Sequence, residues 1–549
     1  MAANPTPSGN DAAAAPAKAV RGGAAFVAAG IFLSRIAGLV RVRVFAHYFG
    51  RLSPEADAFN AALKIPNLLQ NLFGEGVLSA SFIPVYAKLL GEKNSIEADR
   101  VAGVIASLLA LVTSLLALAG VMLAPQLIDV IAYGFTGHKR ELTIQCVQIL
   151  FPGIALLVMS AWCLGVLNSH RRFFLSYVAP VVWNLTIIGA LLAFGGHQSL
   201  DQLARTTSWG LVLGSFLQFA VQVPTVLKLA PNLKFSIEWK SANVRAVLIS
   251  FSSVVVARGV VQISAYIDSF LASWLPDGAV TTLSYSQTLY LLPVSLFGMS
   301  VSAASLAEMS RERANAGDVE AANERIRSKL DQGLKQVAFF IVPSTAALVF
   351  LGDIAAAPIL QGGNFLQADL RYVWFTLAGS GIGMLASTLG RLYSSTFYAM
   401  QDTKTPLRFA IVRVALTTVL GCIGGIYLPG WLGIDRAWGT VGLTATAGVA
   451  GWVEFTLLRR ALNRKIGTTG IAASFIARLW IPALAGSAGG WGMKLLAEHF
   501  RQSLHLHPAI IAVLVFGVFG VIYLAGTLLA GVPQAQAFSH SFFRRLRRR

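Results

Sequence analysis

From Ala56 to Tyr86 the chain is apolar enough to enter a bilayer, yet it carries polar residues at helical spacing. Asp57, Asn60, Lys64, Asn67 and Asn71 follow one another at steps of three and four, which puts all five on one face of one helix, with Glu75 a turn further on. Ions are expensive in hydrocarbon, so a stripe roughly 20 Å long, at about 1.5 Å per residue, cannot face lipid. It must face water or a polar ligand. Pro66 removes a backbone hydrogen bond inside this helix, and Gly74 and Gly76 flank Glu75, marking a break where the chain can re-aim.

The rest of the chain supplies the membrane setting. A mean hydropathy of +0.64, with only 13% charged residues over 549 positions, describes an all-α polytopic membrane protein rather than a soluble one. Apolar runs of about 20 residues recur about fourteen times. Basic residues crowd into alternate loops, among them Lys88, Lys93 and Arg100; Lys228, Lys234, Lys240 and Arg245; the stretch from Arg311 to Lys335; Arg459, Arg460, Arg464 and Lys465; and the C-terminal end. That bias places both termini in the cytoplasm. It also accounts for most of the formal charge of +19, which therefore does not signal a nucleic-acid partner. Residues 1–20, rich in Ala and Pro, read as a disordered cytoplasmic tail, and residues 536–549 as a basic, solvated or topogenic one, with contact to anionic headgroups as the alternative. The charged stretch 308–335 reads as a cytoplasmic amphipathic helix. Cys146, Cys163 and Cys422 lack metal-site spacing, and no metal or other cofactor is implied.

An internal echo organises the spans. Leu72 to Ser81 can be laid on Leu296 to Ser305 at an offset of 224 residues, and near that offset Arg35 falls on Arg258. This relates the second span to the eighth and the first to the seventh, as in parallel repeats about an axis normal to the membrane. The expected architecture is two six-helix lobes, 21–232 and 233–465, followed by a helix pair over 466–535.

Halves of this kind enclose a site at their interface, and the first two spans of each half carry the unusual residues. Arg35, Arg41, Lys64 and Arg258 give an excess of cations, set among Asn67 and Asn71 and opposed by few carboxylates. Guanidinium groups suit phosphate through forked hydrogen bonds, so a phosphorylated ligand is expected. The plainer reading of Arg35 and Arg41 is an ion pair that holds helices together. Asp57 either caps the second span or gates it, Glu75 either satisfies the glycine break or gates it, and Asp268 is structural or holds a coupling cation. Glu454 is expected to reach toward Arg459.

At this point the residues carry a resemblance. Ser34-Arg35-Ile36-Ala37-Gly38-Leu39-Val40-Arg41, Ala56-Asp57-Ala58-Phe59, Lys64-Ile65-Pro66-Asn67-Leu68-Leu69, Phe73-Gly74-Glu75-Gly76 and Ser81-Phe82-Ile83-Pro84-Val85 resemble, in order and spacing, the N-terminal signature of the MurJ (MviN) family. Gln401-Asp402-Thr403-Lys404-Thr405-Pro406 is similar to that family's loop between spans ten and eleven. The family comprises lipid II flippases of the multidrug, oligosaccharidyl-lipid and polysaccharide exporter superfamily. The resemblance implies fourteen helices, two lobes about a cationic cavity, and a terminal helix pair associated with a groove for the lipid tail. It implies roles for Arg35, Arg41, Asp57, Glu75 and Lys64, no catalytic residue, an inner-membrane location, lipid II and membrane lipids as partners, and a link to cell-wall synthesis enzymes.

The chain departs from the family pattern in places. Val42 stands where relatives carry an Asp, Gln70 and Asn71 where they carry an Arg pair, and Gln287, Thr288 and Leu291 where span eight is charged. Asp268 matches a carboxylate that some members use for sodium, but the partner positions hold Gly421, Gly425 and Ala450. Drive by sodium or by membrane potential stays open on the sequence. So do three rival functions: an exporter of another lipid-linked glycan or a drug, a membrane glycosyltransferase, and a transport-inactive scaffold for cell-wall enzymes.

Overall fold

The structure, a computed structural model, describes residues 11–314, 318–504 and 506–546; the side chains of residues 11–29, 256–265, 307, 314, 319, 501–504 and 541–546 lie outside that description. The described residues are mostly helical, in the order α1 (Asp11–Phe49), α2 (Pro54–Phe73), α3 (Glu75–Gly91), α4 (Ser95–Met122), α5 (Ala124–Ile131), α6 (Gly137–Ser169), α7 (Phe173–Phe194), α8 (Leu200–Leu229), α9 (Ala242–Ala272) and α10 (Ala279–Pro293). There follow α11 (Ser300–Ala314), α12 (Val319–Leu360), α13 (Gln367–Ala399), α14 (Lys404–Gly421), α15 (Leu428–Trp431), α16 (Gly439–Ile466), α17 (Ala473–Leu504), α18 (Pro508–Leu529) and α19 (Pro533–Leu546). Short π-helical turns, Val294–Met299 and Cys422–Tyr427, join α10 to α11 and α14 to α15.

Ten helices among the described residues are long and apolar enough to cross a membrane. The remaining expected spans fall on α1, α2 with α3, α9 and α17. Of these, α2 and α3 are broken and striped with polar groups, α17 carries Arg478, Lys494 and Glu498, and α1 and α9 include side chains outside the description. The helix α1 begins at Asp11, so residues 11–20 are helical rather than part of a disordered tail, as their alanine content favours.

The chain forms two compact units. The first comprises α1, all of α2 beyond Asp57, α3 to α8 and α9 as far as Ile263; the second comprises residues 50–57, 132–135 and everything from Ser264 onward. Its division thus falls within α9 rather than near residue 232, and the terminal pair α17 and α18 belongs to the second unit. In the first unit α6 packs on α8 and α4, and α7 lies against α1 and α8, closing over Leu150, Phe151, Leu191 and Leu211.

In the second unit the pair is fixed through a kink. Leu351 leaves helical geometry inside α12 (φ −130°, ψ 25°), which frees two carbonyls. The Trp374 indole of α13 donates to Val349 and the Trp491 indole of α17 donates to Phe350, each at 2.9 Å, so both acceptors are met. Beside them Lys494 pairs with Asp353 at 2.5 Å while its ammonium lies 4.5 Å and 5.4 Å from the Trp491 and Trp374 rings. On the stretch read as one amphipathic helix, the end of α11 and the start of α12 run past one another, linked by Lys329–Glu308 at 3.2 Å and Arg325–Glu312 at 3.6 Å. Glu454 pairs with Arg413 of α14 at 3.1 Å rather than with Arg459, which instead donates to the Thr469 carbonyl.

The loop after α13 is held by one carboxylate. Asp402 accepts from the Thr405 amide and hydroxyl, at 3.0 Å and 2.7 Å, and from Lys465 at 2.5 Å. Burial pushes its pKa up, but the hydrogen bonds from Lys465 and Thr405 outweigh it and bring the group from 3.8 down to about 2. A carboxylate with a depressed folded pKa stabilises above its unfolded value, and that contribution fades as the pH falls from 3.8 toward 2. Protection of the amides in residues 400–405, taken relative to the intrinsic exchange rate at each pH, should therefore fall over that window in the wild type, whereas Asp402→Asn should show weak protection already at neutral pH.

Candidate functional site

The turn between α1 and α2 is fastened at four points within the second unit. Gly50 has a left-handed backbone (φ +68°), and a Cβ there would stand 2.6 Å from the Asn364 carbonyl, so the close approach requires glycine. Its own carbonyl accepts from the Tyr285 hydroxyl at 3.0 Å. Arg51, buried, donates to Asp369 at 2.8 Å and lies 4.0 Å over the Tyr372 ring, while the second oxygen of Asp369 accepts from the Leu366 amide at the start of α13.

The fourth point is Asp57, which is fully buried. Its Oδ2 accepts from the Gly278 amide at 2.8 Å; its Oδ1 accepts from the Thr281 amide at 2.8 Å and the Thr281 hydroxyl at 2.7 Å. These donors are the start of α10, so through these bonds Asp57 caps α10. The charge lies at the positive end of the helix dipole, which lowers the cost of burying it. Asp57 and Thr281 are 224 residues apart in the chain and meet within the second unit.

In the first unit the polar stripe continues down α2. Asn60 and Lys64 are half-buried, Asn67 and Asn71 are exposed, and Pro66 is buried. The helix ends at Phe73, and Gly74 lets the chain turn: a Cβ there would lie 2.3 Å from the Gln70 carbonyl. Glu75, exposed, then opens α3, followed by the half-buried Gly76. The repeat-related break in the second half falls at the π turn Val294–Met299.

On α1, Arg35 is exposed and Arg41 is half-buried, its guanidinium 5.0 Å from the centre of the Trp183 ring of α7. The Arg41 Nε is shielded from solvent and makes no hydrogen bond among the described residues. Trp183 is itself fixed, its indole donating to Ser215 at 3.2 Å. The same helix α7 carries Tyr177, which lies within electrostatic reach of Glu75. Neither Tyr177 nor Trp183 stands out in the sequence, because aromatic residues in an apolar span are ordinary. The side chains of Arg258 and Gln262 lie outside the described residues. Asp268 is half-buried in the second unit, and among the described residues no group of three or more His, Cys, Asp or Glu is placed to hold a metal.

The second unit also holds an apolar groove of about 750 Å³ among α12, α13, α16 and α17, lined by Phe350, Ile382, Leu385, Trp452, Phe455 and Leu484, and ending at Arg459. A helical chain with many bilayer-length apolar spans, a cation-bearing polar stripe and a greasy groove is a multi-pass membrane protein of the transporter class.

Comparison with known proteins is specific. The family model described as lipid II flippase MurJ matches residues 45–513, and the chain belongs to that family. The probable lipid II flippase MurJ of Rhizobium tropici is 29% identical over 91% of this chain and 92% of its own length. The lipid II flippase MurJ of Burkholderia cenocepacia is 29% identical over 79% and 82%. Among solved structures, one described as lipid II flippase MurJ in an inward closed conformation superposes with a TM-score of 0.70 at 23% identity, covering 91% of this chain and 99% of that one. An inward-facing multidrug resistance MATE family transporter of the MOP superfamily gives 0.62 at 16% identity over 78% and 95%, which shows a shared fold.

The three hydrogen bonds to Asp57 set an expectation. Each bond to a charged group is worth roughly 1.5–3 kcal/mol, so Asp57→Ala should lower the melting temperature of the purified protein measurably, and Asp57→Asn, which retains an acceptor, should lower it less.

Proposed function

We propose that this chain flips lipid II, a polyprenyl-diphosphate-linked peptidoglycan precursor, from the cytoplasmic to the outer leaflet of the bacterial inner membrane by alternating access, with both termini in the cytoplasm. Membership of the MurJ family across residues 45–513 carries this reading. No bond is made or broken, so the work of the protein is to shield a diphosphate and a glycan from hydrocarbon while the tail stays in it.

The residues divide that work. Arg35, Arg41 and Lys64 supply positive charge for the diphosphate, and Trp183 holds the Arg41 guanidinium with its Nε uncommitted. Asn67 and Asn71, exposed on the same stripe, offer amide donors and acceptors to the glycan. The polyprenyl tail takes the apolar groove of α12, α13, α16 and α17. The Asp57 cap holds the outer end of α10 shut, and transport requires its release; Pro66 and the Gly74 break allow α2 to bend when it does.

Single replacement of Arg35 or Arg41 by alanine should abolish rescue of flippase-depleted cells at normal expression. Arg41→Lys should rescue in part, because an ammonium keeps the charge but not the fork. Growth of both alanine variants at the wild-type rate would overturn the role of these arginines.

A further inference from the structure

One face of α8 is apolar and open. Trp209, Leu213 and Phe216 follow at steps of four and three and are 58%, 53% and 51% exposed, a stripe that hydrocarbon alone would cover at no cost. Four residues before Trp209, one turn toward the loop, the stripe ends at Arg205. With Gln145, Gln148 and Ile149 of α6 and with Trp209, Arg205 lines a recess of about 370 Å³.

The polar groups there are only partly spent. The Arg205 Nε is shielded from solvent and makes no hydrogen bond among the described residues. Gln148 gives one amide hydrogen to the Val121 carbonyl at 3.3 Å. The carboxylate one turn before Arg205, Asp201, is taken by His138 at 2.7 Å, and Glu141, one turn before Gln145, is exposed and acts on its neighbour Arg140. A guanidinium with a spare donor, two carboxamides and an indole thus stand at the head of a lipid-facing stripe. Tryptophan favours the headgroup level of a bilayer, and a long basic side chain near a span end reaches the phosphates.

We propose that this recess binds the phosphate of an anionic phospholipid, with an acyl chain lying along Trp209, Leu213 and Phe216. In the orientation proposed above, the lipid belongs to the outer leaflet. The site is separate from the polar stripe of α2 and does not depend on what the protein transports.

Native mass spectrometry of the purified full chain tests this, titrated with phosphatidylglycerol or with a diacyl glycolipid lacking phosphate, each with and without millimolar inorganic phosphate. The wild type should retain one phosphatidylglycerol about tenfold more tightly than the glycolipid, roughly the worth of one charge-assisted contact. Arg205→Gln should lose that preference, Arg205→Lys should keep part of it, and inorganic phosphate should not displace the lipid. Unchanged retention by Arg205→Gln, or equal retention of the two lipids by the wild type, would overturn the proposal. So would displacement by inorganic phosphate, which would mark a site for the free anion. Should Arg205→Gln fail to fold, Gln148→Leu is read against the same outcomes.

Discussion

A carboxylate buried in an apolar protein has to be met by donors, because an unpaired ion there costs far more than the fold can spare. Asp57 is met by Gly278 and Thr281, the uncapped start of α10. Two deficits cancel: α10 lacks acceptors for its first amides, and Asp57 lacks water. The turn that carries it is pinned as well by Gly50 and by the Arg51–Asp369 pair, so the starts of α2, α10 and α13 are tied by polar contacts that close only in this arrangement. Apolar packing between helices is forgiving of small slides; a set of buried, directional bonds is either made or broken. Such a joint suits a protein that must switch between states rather than drift.

Much of this was legible from the residues. The stripe on α2 could be read because its period is helical and because hydrocarbon forbids it, and the break at Gly74 because glycines flank an acid inside a span. The partner of Asp57 could not, since its donors, two backbone amides and the Thr281 hydroxyl, lie more than two hundred residues away. Arg41 was visible as a charge, but not the Trp183 ring that holds it. Proximity in sequence misled for Glu454, whose partner Arg413 comes from a neighbouring helix. The kink at Leu351 carries no proline or glycine signal at its own position, and it is held by two tryptophans and Lys494 from elements far along the chain.

The stripe is only weakly basic. Lys64 is the one cation in α2, set among Asn60, Asn67, Gln70 and Asn71. Arg41 on α1 has a firm seat, because the Trp183 ring beside its guanidinium is itself hydrogen-bonded to Ser215.

In the proposed cycle the Asp57 cap on α10 opens during transport. Hydrogen exchange at the Gly278 and Thr281 amides, followed in bilayer discs with and without lipid II, measures that opening at the bonds themselves. Slow exchange in the substrate-free protein and much faster exchange with lipid II present is the predicted result. Equal protection in both conditions, in a preparation that transports lipid II, would contradict it.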